Sequence, residues 1–77
     1  KEIRVANETV QSEMTGKVWK LNVEVGASVA EDEEIIILES MKMEIPVTAP
    51  VAGKLSKFLV GEGEEVAEGQ DVAVIET

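Results

Sequence analysis

Neither cysteine nor histidine occurs in this sequence. The first absence excludes a disulfide and a thiolate metal site within the chain, and leaves the redox compartment open. The second removes the commonest general base and metal ligand at neutral pH, so catalysis would have to rest on carboxylates, lysines and hydroxyls. Tyrosine is missing too, and one Trp and one Phe are the only aromatics. Basic residues are scarce: 7 Lys and Arg stand against 16 Asp and Glu, for a net charge of −9. That balance argues against nucleic acid and anionic lipid as partners and suits a basic surface on a partner protein. The longest apolar runs, Ile35 to Leu38 among them, are far too short to cross a bilayer, and residues 1 to 10 carry no signal-peptide core, so no membrane insertion is expected. The chain opens on Lys1 and not on Met, as a piece of a longer protein would. Its 77 residues are expected to form one domain, of a size that buries only about 60% of its unfolded surface.

What the sequence does contain is a repeat. Laid on itself at an offset of 37 residues, the chain overlaps without a gap over 26 positions, and nine pairs are identical, among them Gly16/Gly53, Lys17/Lys54, Gly26/Gly63, Val29/Val66 and Glu39/Glu76. Others are apolar exchanges, such as Val18/Leu55, Leu21/Phe58 and Ile35/Val72. The same supersecondary unit was built twice. Two copies point to one closed domain with quasi-twofold symmetry, because a solenoid needs at least three to cover its hydrophobic faces. Lysines 17, 20, 54 and 57 are paired by the repeat, which explains them structurally. Lys42 is not: its counterpart is Val5.

The local pattern is β throughout. Residues 2–6 alternate polar and apolar as a half-buried strand does, and residues 7–15 are polar and predict a connection with a short strand around Val10. A long strand over 16–23 has imperfect alternation, which predicts a twist or bulge. Gly26 marks a turn needing positive φ, residues 28–30 a short strand, and the acidic run 31–34 a solvated turn in preference to a metal site. Strands over 35–39 and 43–48 follow, with Pro46 predicting an edge or bulge position for the second. The second copy repeats the pattern over 53–60, near Val66 and over 72–76. No window has a sustained helical period, so the fold class is all-β. The pairs Leu21/Phe58, Val18/Leu55, Val29/Val66, Ile35/Val72 and Ile37/Val74 are expected to form the core. Trp19 is expected to be partly exposed, because its repeat mate is Ser56.

Two strands flank Met41-Lys42 with almost nothing between them, which makes these residues the tip of a tight hairpin. A two-residue turn normally calls for Asn-Gly, because both central residues take positive φ. Met and Lys suit that backbone poorly. An unfavourable local choice at a single tip is where function is expected to override propensity, and residues on both sides of the tip cannot both point into a core.

Glu39-Ser40-Met41-Lys42-Met43-Glu44 resembles the Met-Lys-Met biotinylation motif of biotin carboxyl carrier domains. The resemblance spans nearly the whole chain, with Gly16-Lys17-Val18 before the motif and Val47-Thr48-Ala49-Pro50-Val51-Ala52-Gly53 after it. With Ser40 and Ile45-Pro46-Val47 the chain is especially similar to small stand-alone biotin attachment proteins of bacteria. The resemblance implies a single biotinyl-attachment domain over residues 1–77. Its fold would be a flattened β-barrel, or barrel-sandwich hybrid, of two interlocked four-stranded sheets. Some bacterial acetyl-CoA carboxylase carriers add a protruding thumb in the first half; the ungapped repeat implies a thumbless member.

By the same resemblance a biotin protein ligase would acylate Lys42, and biotin would be the covalent cofactor. The carried ureido nitrogen would be carboxylated at a biotin carboxylase, using ATP and bicarbonate, and would deliver CO2 at a carboxyltransferase. Met41 and Met43 would be soft apolar contacts for the arm or the ligase. Glu39 resembles a position linked to ligase recognition, while its repeat mate Glu76 offers a structural explanation. A non-catalytic, cytoplasmic carrier is implied. A lipoyl carrier shares the fold and would carry lipoate on the same lysine, although Asp-Lys-Ala or Asp-Lys-Val is usual there. An unmodified barrel-sandwich adaptor is the remaining alternative.

Overall fold

The computed structural model describes residues 7–77, so the strand expected over 2–6 lies outside the described residues. Eight strands run in the order β1 (Asn7–Gln11), β2 (Gly16–Leu21), β3 (Ser28–Val29), β4 (Glu34–Ser40), β5 (Met43–Thr48), β6 (Gly53–Phe58), β7 (Glu65–Val66) and β8 (Asp71–Glu76). No helix occurs among the described residues. Hydrogen bonding sorts the strands into two four-stranded antiparallel sheets, β1-β8-β6-β3 and β5-β4-β2-β7. Adding 37 to every residue of the first half maps β1 onto β5, β2 onto β6, β3 onto β7 and β4 onto β8. Each sheet therefore takes strands from both copies, which is how two small units interlock into one body.

The symmetry extends to individual hydrogen bonds. The Gly26 amide donates to the Leu55 carbonyl and the Gly63 amide to the Val18 carbonyl, both at 2.8 Å. Both glycines have positive φ, 94° and 91°, which a side chain would make costly. The Asp32 amide donates to Ala49 and the Gly69 amide to Ser12, and both residues are left-handed. Aspartate tolerates that conformation, so the acidic run is a turn, as expected. Residues 22–27 and 59–64 connect equivalent strands and match in length, so the first half carries no thumb.

One expectation needs correction in the first half: residues 7–15 are not mainly a connection. Asn7–Gln11 is a full strand, paired residue by residue with β8 from Asn7↔Glu76 to Val10↔Ala73. The core needs a second correction. Ile37 and Val74 are only half-buried, whereas Ile36, Leu38, Ala73 and Ile75 are fully buried. A bulge is the reason. The pairing of β4 with β5 jumps from Glu34↔Thr48 to Ile36↔Val47, so Ile35 and Ile36 both face inward and the alternation beyond them changes phase. Leu21 and Phe58 pack against the core from its margin and do not belong to it. Val18, Val29, Leu55, Val66, Ile35 and Val72 are buried as expected. Fully burying an aliphatic side chain of this size contributes about 1.5–3 kcal/mol.

Irregular alternation in the second and sixth strands is also a bulge, between Val18 and Lys20 and between Leu55 and Lys57. Trp19 sits in the first and is 51% exposed, as its Ser56 mate suggested. Pro46 lies in β5, an edge strand, where its missing N–H costs no ladder bond.

Candidate functional site

Beyond the bulge, β4 and β5 pair without a further register shift from Ile36↔Val47 to Ser40↔Met43. Met41 and Lys42 alone form the connecting loop, with φ of 50° and 67°. Two successive positive values are the signature of a type I′ turn, whose twist matches that of paired strands. Left-handed backbone costs a residue with a side chain roughly 1–2 kcal/mol, and Met and Lys have no short polar group to offset it. In β5, Ile45 and Val47 face inward and Met43 continues their row, but the hairpin has by then run past the core. Met43 is 64% exposed and Met41 92%. The two methionines therefore hold apolar side chains in water on both sides of an exposed lysine.

Glu39 is exposed on the outer face of β4, opposite Lys17 of β2 and Glu44 of β5. Its mate Glu76 lies opposite Lys54 and Asn7. The lysine is thus repeated but the like-charge neighbour is not. Directly opposed like charges are mildly destabilising, so Glu39 and Glu44 form an unfavourable pair that the other copy, with Asn7 opposite Glu76, does not have. Glu44 went unremarked as a site residue on sequence grounds. Its signal was available as a departure from the repeat, Asn7 against Glu44. Trp19, adjoining Glu39 and Lys17 on the same face, departs likewise.

The arrangement offers solvent a primary amine on a two-residue hairpin tip, with no histidine or cysteine anywhere in the chain to activate it. Among the described residues no cluster could hold a metal ion, and no helix is long and apolar enough to cross a membrane. Lys17, Lys20, Lys54 and Lys57 are exposed as well, but they lie on strands, and among the described lysines Lys42 alone sits in a two-residue hairpin loop. A family model described as "Biotin-requiring enzyme", the biotin/lipoyl domain, matches residues 1–77. The chain belongs to this family.

Relatives place the biotin/lipoyl domain in several settings. A homolog of a biotinylated protein, from Mycobacterium leprae, is 41% identical over 68 residues, which cover 88% of this chain and 96% of that protein. Urea amidolyase of Saccharomyces cerevisiae is 41% identical over 70 residues, covering 91% of this chain. This chain spans only 4% of that much longer relative. A probable dihydrolipoyllysine-residue succinyltransferase component of the mitochondrial 2-oxoglutarate dehydrogenase complex of Schizosaccharomyces pombe is 50% identical over 52 residues, covering 68% of this chain and 12% of that protein. Among solved structures, the urea carboxylase of Kluyveromyces lactis superposes with a TM-score of 0.86 at 40% identity, covering 97% of this chain and 7% of that one. The two-sheet architecture is therefore shared with the urea carboxylase structure, and this chain matches nearly the whole of the small relative but one segment of the large ones.

Proposed function

We propose that residues 1–77 are one biotin carboxyl carrier domain and that Lys42 is its attachment residue. The observation that carries this is the tip itself. A hairpin selected for folding alone would place Asn-Gly at these two left-handed positions and polar residues beside them. Here Met41, Lys42 and Met43 are kept at the cost of strained backbone and hydrated apolar surface. Those costs are explained if another enzyme reads the tip.

That enzyme would be a biotin protein ligase. The Lys42 Nζ, as the free amine, forms an amide bond to the biotin carboxyl carbon. The activating group on that carbon leaves, and the amine proton passes to a base supplied by the ligase. Met41 and Met43 give the ligase soft apolar contacts, and the Glu39 carboxylate, beside the tip, serves recognition, the structural role it shares with its mate Glu76 being the alternative. Acylation removes one positive charge, taking the formal −9 to −10. When attached, biotin supplies a ureido nitrogen that takes up a carboxyl group at a biotin carboxylase and gives it up at a carboxyltransferase. This chain is the carrier and not the catalyst. Its stiff ladder holds the attachment point clear of the core, and tethering raises the effective concentration of the cofactor at both enzymes. The role implies residence in the cytoplasm with those enzymes.

A lipoyl carrier is the second reading, supported by the Schizosaccharomyces relative. Its lysine would be acylated on the same hairpin, but Met41 stands where an acidic residue is usual in that class. Intact mass and streptavidin capture, after treatment with a biotin ligase or a lipoyl ligase, separate the readings. A biotin-sized mass gain, absent from Lys42→Ala, is expected. A lipoyl-sized gain alone would transfer the chain to the second reading, and no gain with either ligase would leave an unmodified adaptor.

A further inference from the structure

Trp19 is the one aromatic in the sheet that carries Lys42, and the fold does not require it. The bulge it occupies is duplicated in β6, where Ser56 serves. Each bulge walls a shallow surface niche, and the two niches are symmetry mates. Lys54, Ser56, Glu76 and Gly26 line one of about 280 Å³. Lys17, Trp19, Glu39 and Gly63 line the other, of about 200 Å³. The scaffold is built twice and given an indole once, on the side that leads to the Lys42 hairpin.

We propose that this niche is a resting dock for the biotinyl group on Lys42, an inference that rests on the carrier reading above. A ureido ring presents one carbonyl acceptor and N–H donors, next to an apolar sulfur ring. Lys17 offers only donors and Glu39 only acceptors, and they stand directly opposite each other across β2 and β4. The pair matches both halves of a ureido group, and Trp19 beside them offers a flat apolar face. In the mate niche Lys54 and Glu76 supply the same polar pair, with the aliphatic Val25 but no flat aromatic face. Reach is sufficient. Glu39 precedes Lys42 by three residues, about 10 Å along a strand. The extended lysine and valeryl chain puts about eleven bonds, about 14 Å, between the Lys42 α-carbon and the ring. A docked arm keeps its apolar ring out of water between visits to partner enzymes, and weak, solvent-exposed contacts let it leave quickly.

Because Trp19 is the chain's single tryptophan, its emission reports on the niche. Full-length protein with and without biotin on Lys42, each verified by intact mass, is compared in the absence of any partner. The biotinylated form is expected to emit at shorter wavelength, with acrylamide quenching reduced about twofold, as for a half-exposed indole covered on its open face. Lys17→Ala and Glu39→Ala, each taken to complete biotinylation, should return both values to those of the unmodified protein. In a Trp19→Phe, Ser56→Trp protein the indole lies in the other niche, and biotinylation should leave its emission unchanged. A mass gain without a change in Trp19 emission overturns the dock and leaves the carrier role standing. A change that survives both niche variants overturns it too. So does one that appears only when a partner protein is added, which would make Trp19 an anchor for that protein. Failure to gain mass removes the carrier role, and the dock with it.

Discussion

A β-carbon on Gly53 would stand 2.6 Å from the carbonyl oxygen of Glu76 and 2.7 Å from the Ile75 Cγ2. The nearer atom is backbone, so no rotamer change can relieve the contact; β6 would have to move off β8. At the symmetry mate, a β-carbon on Gly16 would meet the Glu39 carbonyl oxygen at 3.1 Å, a gap that a small shift can accommodate. Glycine at the head of both strands is thus set by close approach of the neighbouring strand, more strictly in one copy than in the other.

Gly53→Ala is therefore expected to destabilise the domain by about 1–3 kcal/mol, the usual cost of overpacking, and Gly16→Ala by less. In a domain of this size each kcal/mol lowers Tm by roughly 4–8 °C, which thermal denaturation resolves. Equal losses at the two positions would contradict the difference in approach.

Leu38→Ala and Ile37→Ala are adjacent changes with different expected costs. Leu38 is fully buried, and its truncation should cost about 2–5 kcal/mol. Ile37 is half-buried on the outer face opposite Lys20 and Pro46, and its truncation should cost well under half as much. Urea denaturation of the two variants measures the difference, and a larger loss at Ile37 would restore the alternation expected from sequence.

That contrast marks the limit of what the sequence displayed. The repeat, the glycine turns and the hairpin were legible because each depends on residue identity at a fixed spacing. The phase of β4 was not, because Ile35, Ile36 and Ile37 are the same residue and only the bulge decides which of them face inward. The extent of strand β1, expected only as a short strand around Val10, was understated for a related reason. Over residues 7–11 and their mates 44–48 the single identity is Val10/Val47, so the repeat fades where β1 pairs with β8. At the site, Met41, Lys42 and Met43 could be named from a motif. Trp19, Lys17 and Glu44 could not be placed beside Glu39 until the register of β2, β4 and β5 was known.

Met41→Asn should separate the stability of the hairpin from its recognition. Asparagine tolerates the left-handed backbone that Met41 holds at φ 50°, so the variant is expected to gain up to about 1 kcal/mol and to melt several degrees higher. It also removes an apolar side chain that is 92% exposed and is proposed to meet the ligase. The initial rate of biotin transfer to Lys42 should fall as Tm rises. A variant both more stable and modified at an unchanged rate would show that Met41 is not read.

Glu39 and Glu76 offer a matched pair for the last prediction. Both are exposed, each lies opposite a lysine, and each sits beside the close-approach glycine of its copy. Whatever the fold requires of one it requires of the other, so a structural role predicts equal effects. A recognition role predicts a difference, because only Glu39 leads into the hairpin. Glu39→Gln and Glu76→Gln are each expected to change stability by no more than about 0.5 kcal/mol. For Glu39→Gln the sign should be slightly favourable, since the change eases its repulsion from Glu44 directly across β5, a contact worth a few tenths of a kcal/mol. The rate of biotin transfer should nonetheless fall several-fold for Glu39→Gln and stay at the parent value for Glu76→Gln. Transfer at the parent rate in both would return Glu39 to the repeat that explains its mate, and the cost of holding it opposite Glu44 would then have no functional account.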